Sequence, residues 1–224
     1  MKTILLFVMT SFVCLQASAQ KQWISLFDGK TTTGWHTYGK TTTGAGWKVE
    51  DGALTLDASV KEGRGDIVTD ESFEDFHLQL EWKISKNGNS GIIFFVQDDK
   101  AKYDNVWYTG PEMQVLDNDG HPDGKYTKHR AGNLYDLLAG PENVAKPVGE
   151  WNKVDIINKK GVLTLKLNGT VTAKTTLGDE HWKELIKESK FNGAQYFAKV
   201  FTGHISLQDH GDVVSYRNIR IQKL

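Results

Sequence analysis

HLQLEWKI, residues 77–84, alternates polar and apolar side chains over eight positions. Successive side chains of a strand point to opposite faces, so a period of two describes a strand buried on one side. The same rhythm recurs elsewhere. Leu163, Leu165 and Leu167 alternate with Thr164 and Lys166, Asn168-Gly169 interrupts, and Val171 and Ala173 resume the period. An Asn-Gly pair between alternating runs marks a hairpin, because both residues tolerate positive φ. Glu50-Asp51-Gly52 separates Trp47-Lys48-Val49 from Leu54-Thr55-Leu56 as a second tight turn. GIIFFV, residues 91–96, is continuously apolar, as in a central strand covered on both faces. One segment departs from the pattern: Trp182, Leu185 and Ile186 stand at helical spacing behind Asp179, a suitable cap. Together these signals predict an all-β sandwich of about a dozen short strands, with one short helix packed on it.

The 224-residue chain opens with Lys2, an apolar run from Ile4 to Leu15, and Ala17-Ser18-Ala19. That order reads as a signal peptide over residues 1–19, with secretion to the periplasm or cell surface. Cys14 would serve a lipid anchor, but Phe12 and Val13 are poor neighbours for one. The apolar run is short for a membrane span and no later segment could be one. Residues 20–224 then form a single domain without cysteine, so neither disulfides nor thiol chemistry are expected. Without Lys2, 26 basic side chains face 28 acidic ones, a net charge of −2. Such a chain has no basic field for nucleic acid. Oligomeric state is not legible.

Two long loops, residues 97–111 and 117–133, suit binding or lid segments. The chemistry is expected on one polar sheet face. In HISLQDHGD, residues 204–212, Ile205 and Leu207 are core candidates, whereas His204, Ser206, Gln208 and His210 share the other side. In EMQVLD, residues 112–117, Met113 and Val115 point inward and leave Glu112 and Gln114 together. His77, Gln79, Glu81 and Lys83 supply a third polar row. His210 is the leading proton carrier, at a strand end between Asp209 and Gly211. Glu112 follows Pro111 and a loop bearing Tyr103, Trp107 and Tyr108. Trp35, Trp47, Trp107 and Trp151 could stack on sugars or fill the core, and Trp107 is the one favoured for a ligand site. Asp117-Asn118-Asp119-Gly120 begins like a calcium loop, but the rest of an EF-hand is missing and a plain turn explains it.

LFDGKTTTGW (26–35), WKVEDGALTL (47–56), NSGIIFF (89–95), TGPEMQVLDN (109–118), GEWN (149–152), HISLQDHG (204–211) and YRNIRI (216–221) resemble the 3-keto-disaccharide hydrolase family. This family is also described as 3-keto-glucoside 1,2-lyase and 3-keto-2-hydroxyglucal hydratase. The resemblance runs through nearly all of residues 20–224 in order. It implies a concanavalin A-like jelly roll of the Bacteroidota and Planctomycetota, with its site on a concave sheet face. Relatives carry an Arg soon after the NSGI-type strand. Here Val96-Gln97 stands there, so an anion-stabilising Arg must come from elsewhere, Arg130 or Arg217.

The implied substrate is a 3-keto-glucoside or 3-keto-disaccharide. Its C3 carbonyl acidifies the C2 proton, so removal of that proton lets the C1 substituent leave, and water then adds back. The resemblance implies His210 as base or acid, with Glu112 as its partner in proton transfer. Gln114, Gln208, His204, Asn89 and Tyr135 would hold hydroxyls, and His129 and Arg217 would contact the oxyanion or leaving group. No cofactor is certain, although a divalent metal could replace the cationic donors. Two other readings stand beside this one: a non-catalytic carbohydrate-binding module, and an ordinary retaining glycosidase using Glu81 and Glu112.

Overall fold

The computed structural model describes residues 22–224; the predicted leader at residues 1–19, with Cys14, lies outside them. Thirteen strands form two antiparallel sheets. The larger contains β1 (Ile24–Ser25), β3 (Trp47–Glu50), β4 (Ala53–Leu56), β6 (Phe76–Ile84), β9 (Asn152–Lys159), β10 (Val162–Leu167), β11 (Thr170–Thr176) and β13 (Val214–Lys223). Its order is β11-β10-β9-β6-β13-β4-β3, and β1 pairs with the far end of β13. The smaller contains β2 (Trp35–Thr37), β5 (Ile67–Phe73), β7 (Asn89–Val96), β8 (Glu112–Leu116) and β12 (Gly203–Leu207), in the order β2-β5-β12-β7-β8. The architecture is a jelly-roll sandwich, not a closed barrel.

Alternation produces the core. Every second residue of β6, from Phe76 to Ile84, is buried. Its apolar side meets Ile67, Ile92, Phe94, Met113, Val115 and Leu207 of the smaller sheet. Val68, Ile93 and Val96 point the other way and form a second, smaller cluster with Tyr38 and Val106. That cluster lies under the loop between β7 and β8, which is why β7 is buried along its whole length. Both predicted hairpins form, with Asp51 and Gly52 (φ 51° and 72°) and Asn168 and Gly169 (φ 50° and 85°) in the left-handed region.

The helix α1 spans Glu180–Lys187, and Asp179 caps it by accepting the Trp182 N–H at 2.7 Å. Trp182 and Leu185 are its buried face. No helix among the described residues is long and apolar enough to cross a membrane. Asp179→Ala leaves one donor of the first turn unsatisfied, and a loss of about 1 kcal/mol is expected. For a chain of this size that is a fall of about 2–4 °C in Tm, measured by thermal melting, with Asp179→Ser recovering most of it.

Candidate active site

The site is built on the outer face of the smaller sheet, where two rows of paired residues cross the strands. Ile93 faces Glu112 and Ser206, and Gly91 faces Gln114. The next step along β12 brings Gln208 beside Gly91, whose carbonyl accepts the Gln208 N–H at 3.0 Å. Gly91 leaves room for the Glu112 carboxyl to lie across its backbone, and a Cβ there would displace that carboxyl. These rows floor a cavity of about 250 Å³ lined by Asn89, Glu112, Gln114, Gln208 and His210. Trp107, Tyr135, Lys190 and Phe191 form its walls.

Two networks hold the floor in place. Beneath it, the buried Tyr216 of the larger sheet reaches Ser90 at 2.9 Å, and Ser90 donates to the Gln208 carbonyl at 2.7 Å. Beside it, the Asp209 carboxylate receives Arg64 through both Nε (3.0 Å) and Nη2, together with the N–H groups of Gly65 (2.9 Å) and Gly211 (3.1 Å). The Asp209 N–H in turn donates to Asp66 at 2.8 Å. Asp209 therefore faces away from the cavity and is fully engaged, which leaves Gln208 and His210 directed into it. Burial pushes the Asp66 carboxyl up to about 6, with the Asp209 charge adding and the Asp209 N–H opposing.

Glu112 is the exceptional group. It is 8% exposed, and no hydrogen bond or ion pair to its carboxyl is present among the described residues. Burial raises its pKa to about 8; Lys190 opposes the rise, while Asp66 and Asp123 add to it. The carboxyl thus carries a proton at neutral pH. Asn89 is 4% exposed and its Oδ1 has no hydrogen-bond partner, so a buried acceptor faces the cavity. Burial and the nearby carboxylates also raise the Tyr135 phenol, which stays protonated and donates to Asp123 at 3.4 Å. The Lys190 ammonium lies 4.0 Å over the Tyr135 ring, and the Lys190 N–H donates to Asp136 at 2.6 Å. His210 is exposed at the rim, with its ring 6.3 Å from His121 and perpendicular to it.

Seven of the ten sequence-predicted site residues meet in this cavity: Glu112, His210, Asn89, Trp107, Gln114, Tyr135 and Gln208. Three do not line it. His129 stands one layer behind, 4.4 Å from the Tyr135 ring and bonded to Asp136 at 2.9 Å. His204 lies at the other end of β12, four residues before Gln208 and so about 13 Å along the strand, with Nδ1–H donating to the Thr69 carbonyl at 2.7 Å. Arg217 belongs to the larger sheet, where it pairs with Glu81 at 2.7 Å and lies 4.0 Å over Trp151. Arg130, the other candidate cation, donates to the Gly124 carbonyl and pairs with Glu142.

The expectation that His77, Gln79, Glu81 and Lys83 share the same polar face is corrected. They lie on β6, and sheets stacked face to face turn their outer surfaces in opposite directions. Their groups are already engaged: His77 and Gln79 bond Asp155 at 2.7 and 2.6 Å, and Lys83 covers Trp151. Two larger hollows of about 540 Å³ lie elsewhere, one around Trp23 and Arg220 and the other around Lys86 and Asp117. Arg220 is held by Gln79, and Asp117 by the N–H groups of Asn87, Asp119 and Gly120, so the DNDG segment is a turn. No cluster of three or more His, Cys, Asp or Glu able to hold an ion occurs among the described residues.

Because Glu112 ionises more readily in the unfolded chain than in the folded one, stability falls as pH rises from about 4.5 to about 8. Glu112→Gln removes that penalty. Its Tm is expected to exceed that of the wild type at pH 8.5 and to match it near pH 4, as thermal melts across that range will measure. Each kcal/mol relieved corresponds to about 2–4 °C.

Comparison with known proteins agrees with this geometry. The family model described as a 3-keto-alpha-glucoside-1,2-lyase-like domain matches residues 22–222. The 3-keto-disaccharide hydrolase of Bacteroides thetaiotaomicron is 36% identical, over 90% of this chain and 78% of its own. A crystal structure from Parabacteroides distasonis ATCC 8503, provisionally called a glycosyl hydrolase, is 31% identical with a TM-score of 0.81, covering 90% of this chain and 94% of that one. The carbohydrate-binding module CBM66 from Bacillus subtilis shares the fold alone, at 14% identity and a TM-score of 0.53 over 85% of this chain and 96% of its own. With its family model matched from end to end of the described residues, the chain belongs to the 3-keto-alpha-glucoside-1,2-lyase-like family.

Proposed function

We propose that the chain is a secreted enzyme that cleaves the glycosidic bond of 3-keto-glucosides, 3-keto-disaccharides among them, by elimination followed by hydration. The observation that carries this reading is a carboxyl that keeps its proton to about pH 8 and an imidazole facing the same cavity. A carboxyl that holds its proton can act as a general acid, and an imidazole within the same cavity is placed to act as a base. Family membership and the hydrolase name of the Bacteroides relative support the substrate class.

In this mechanism His210 removes the C2 proton. The electrons of that bond move toward the C3 carbonyl and form an enolate, whose oxyanion faces the Lys190 ammonium. The enolate then collapses: C3=O reforms, a C1=C2 double bond forms, and the C1–O bond breaks. Glu112 gives its proton to the departing oxygen. Water adds at C1 in the second half. The Glu112 carboxylate takes a proton from that water, and His210 returns one to C2. The sum is hydrolysis, with both side chains restored. Asn89, Gln114 and Gln208 bind the sugar hydroxyls.

Two alternatives fit less well. A retaining glycosidase needs two carboxylates roughly 5 Å apart, and Glu81 and Glu112 lie on opposite outer faces of the sandwich, Glu81 paired with Arg217. A binding module gains nothing from a buried carboxyl without a partner, which costs stability whenever it ionises.

For a purified 3-keto-glucoside, kcat/KM is expected to fall as pH rises through about 8, where Glu112 loses its proton. Glu112→Gln is expected to abolish that alkaline limb and lower the rate by about 10²–10⁴. His210→Ala is expected to lower it similarly while KM changes little. Full turnover by both folded variants, read as released aglycone, would refute the assignment.

A further inference from the structure

The mechanism fixes what happens at C1 to C3 of the keto sugar and leaves the departing group unassigned. Immediately beside the cavity, and sharing Trp107 and Phe191 with it, runs a groove of about 210 Å³. Its other walls are Tyr108, Ala194, Tyr196 and Phe197, and Gln195 is its single amide. The walls are fixed by ring contacts. Trp107 meets Tyr108 edge to face at 4.5 Å, Phe191 stacks on Phe197 at 3.7 Å, and Tyr196 packs on Tyr103 at 5.0 Å. Trp107 and Tyr196 nevertheless remain 41% and 37% exposed, large apolar surfaces that solvent covers in the free protein.

We infer that this groove is the aglycone subsite, and that it selects 3-keto-glucosides whose C1 substituent is an aromatic ring, such as a phenol. The inference rests on the proposed reaction. Its first support is adjacency: Trp107 and Phe191 line both the groove and the sugar cavity, so a substituent on C1 has the groove as a neighbour. Its second support is chemistry. The hydroxyls of a second sugar would lose water there and find at most the Gln195 amide and the Tyr108 and Tyr196 hydroxyls in return, and unpaired hydroxyls oppose binding. A planar ring loses little on desolvation and gains edge and face contacts on several sides. The sugar cavity, lined by Asn89, Gln114 and Gln208, has the opposite character. Two adjoining compartments, one polar and one aromatic, match a substrate with one sugar and one arene.

The test compares phenyl, methyl and glucosyl 3-keto-glucosides on the wild type and on Ala194→Trp. Ala194 is exposed and lines the groove but not the sugar cavity, so a tryptophan there is expected to fill the groove and leave the acid and base in place. The phenyl substrate is expected to have a KM about tenfold below the methyl one on the wild type, and to lose that advantage on Ala194→Trp. The methyl substrate is expected to be unchanged. Comparing one substrate across two proteins cancels the better leaving ability of a phenol. Tyr196→Ala, which removes a wall instead of filling the space, is expected to act in the same direction. Equal KM values for phenyl and methyl on both proteins would overturn the groove assignment and leave the reaction standing. A glucosyl substrate as sensitive to Ala194→Trp as the phenyl one would overturn aromatic selection. Turnover of none of the three would overturn the reaction itself, and the subsite with it.

Discussion

One carboxyl held almost entirely out of water dictates much of this molecule. Glu112 lies across the bare backbone of Gly91, on the outer face of a sheet whose inner face is already committed to the core. The position keeps its proton in place, and it also constrains everything nearby. A side chain at position 91 would push the carboxyl aside, and β7 must stay close enough to β8 for the carboxyl to be covered. Its neighbours in the cavity are the Asn89, Gln114 and Gln208 amides, an aromatic wall, the His210 imidazole and the Lys190 ammonium. The Lys190 charge lowers the cost of ionisation, and Asp66 and Asp123 raise it again. The outcome is a group that can release a proton in a reaction near neutral pH, which neither a free nor a salt-bridged carboxyl can do.

The two sheets divide the work. On the outer face of the larger one, polar side chains satisfy one another: Glu81 with Arg217, and Asp155 with His77 and Gln79. On the smaller one, Asn89 Oδ1 and the Glu112 carboxyl are left without partners. Unsatisfied buried groups are costly, and the fold holds them with rigid supports. Tyr216 and Ser90 tie the Gln208 backbone to the opposite sheet, and the Arg64–Asp209 pair holds the turn that carries His210. Such supports keep the groups that line the cavity from relaxing into local hydrogen bonds of their own.

Periodicity made the fold readable, and it made half of the site readable as well. The Glu112/Gln114 and Gln208/His210 pairs follow from a period of two, which correctly places alternate residues on one face. It carries no information about which of two sheets a strand joins, so the polar row of β6 was grouped with a site on the other side of the sandwich. It also does not measure distance along a strand. His204 shares a strand with Gln208, but a register shift between His204 and Ser206 and the length of the strand leave it bonded to Thr69 instead. Lys190 and Phe191 gave no signal at all. They follow α1 in an irregular segment, and long-range contacts bring them to the cavity: the Asp136 carboxylate holding the Lys190 N–H from 54 positions away, and the stacking of Phe191 on Phe197. The cation that lines the cavity is therefore Lys190, and neither Arg130 nor Arg217.

A lysine in that place has a physical consequence that an arginine would not. A guanidinium binds a carboxylate through two parallel hydrogen bonds, and beside Glu112 it would lock the acid into its ionised form. The Lys190 ammonium lies on the Tyr135 ring face and makes no ion pair with Glu112, so its field reaches the carboxyl without stripping its proton. It remains close enough to attract charge that develops on a bound substrate. In the proposed reaction this placement gives a cation that is available to a developing oxyanion and leaves the raised pKa of Glu112 in place.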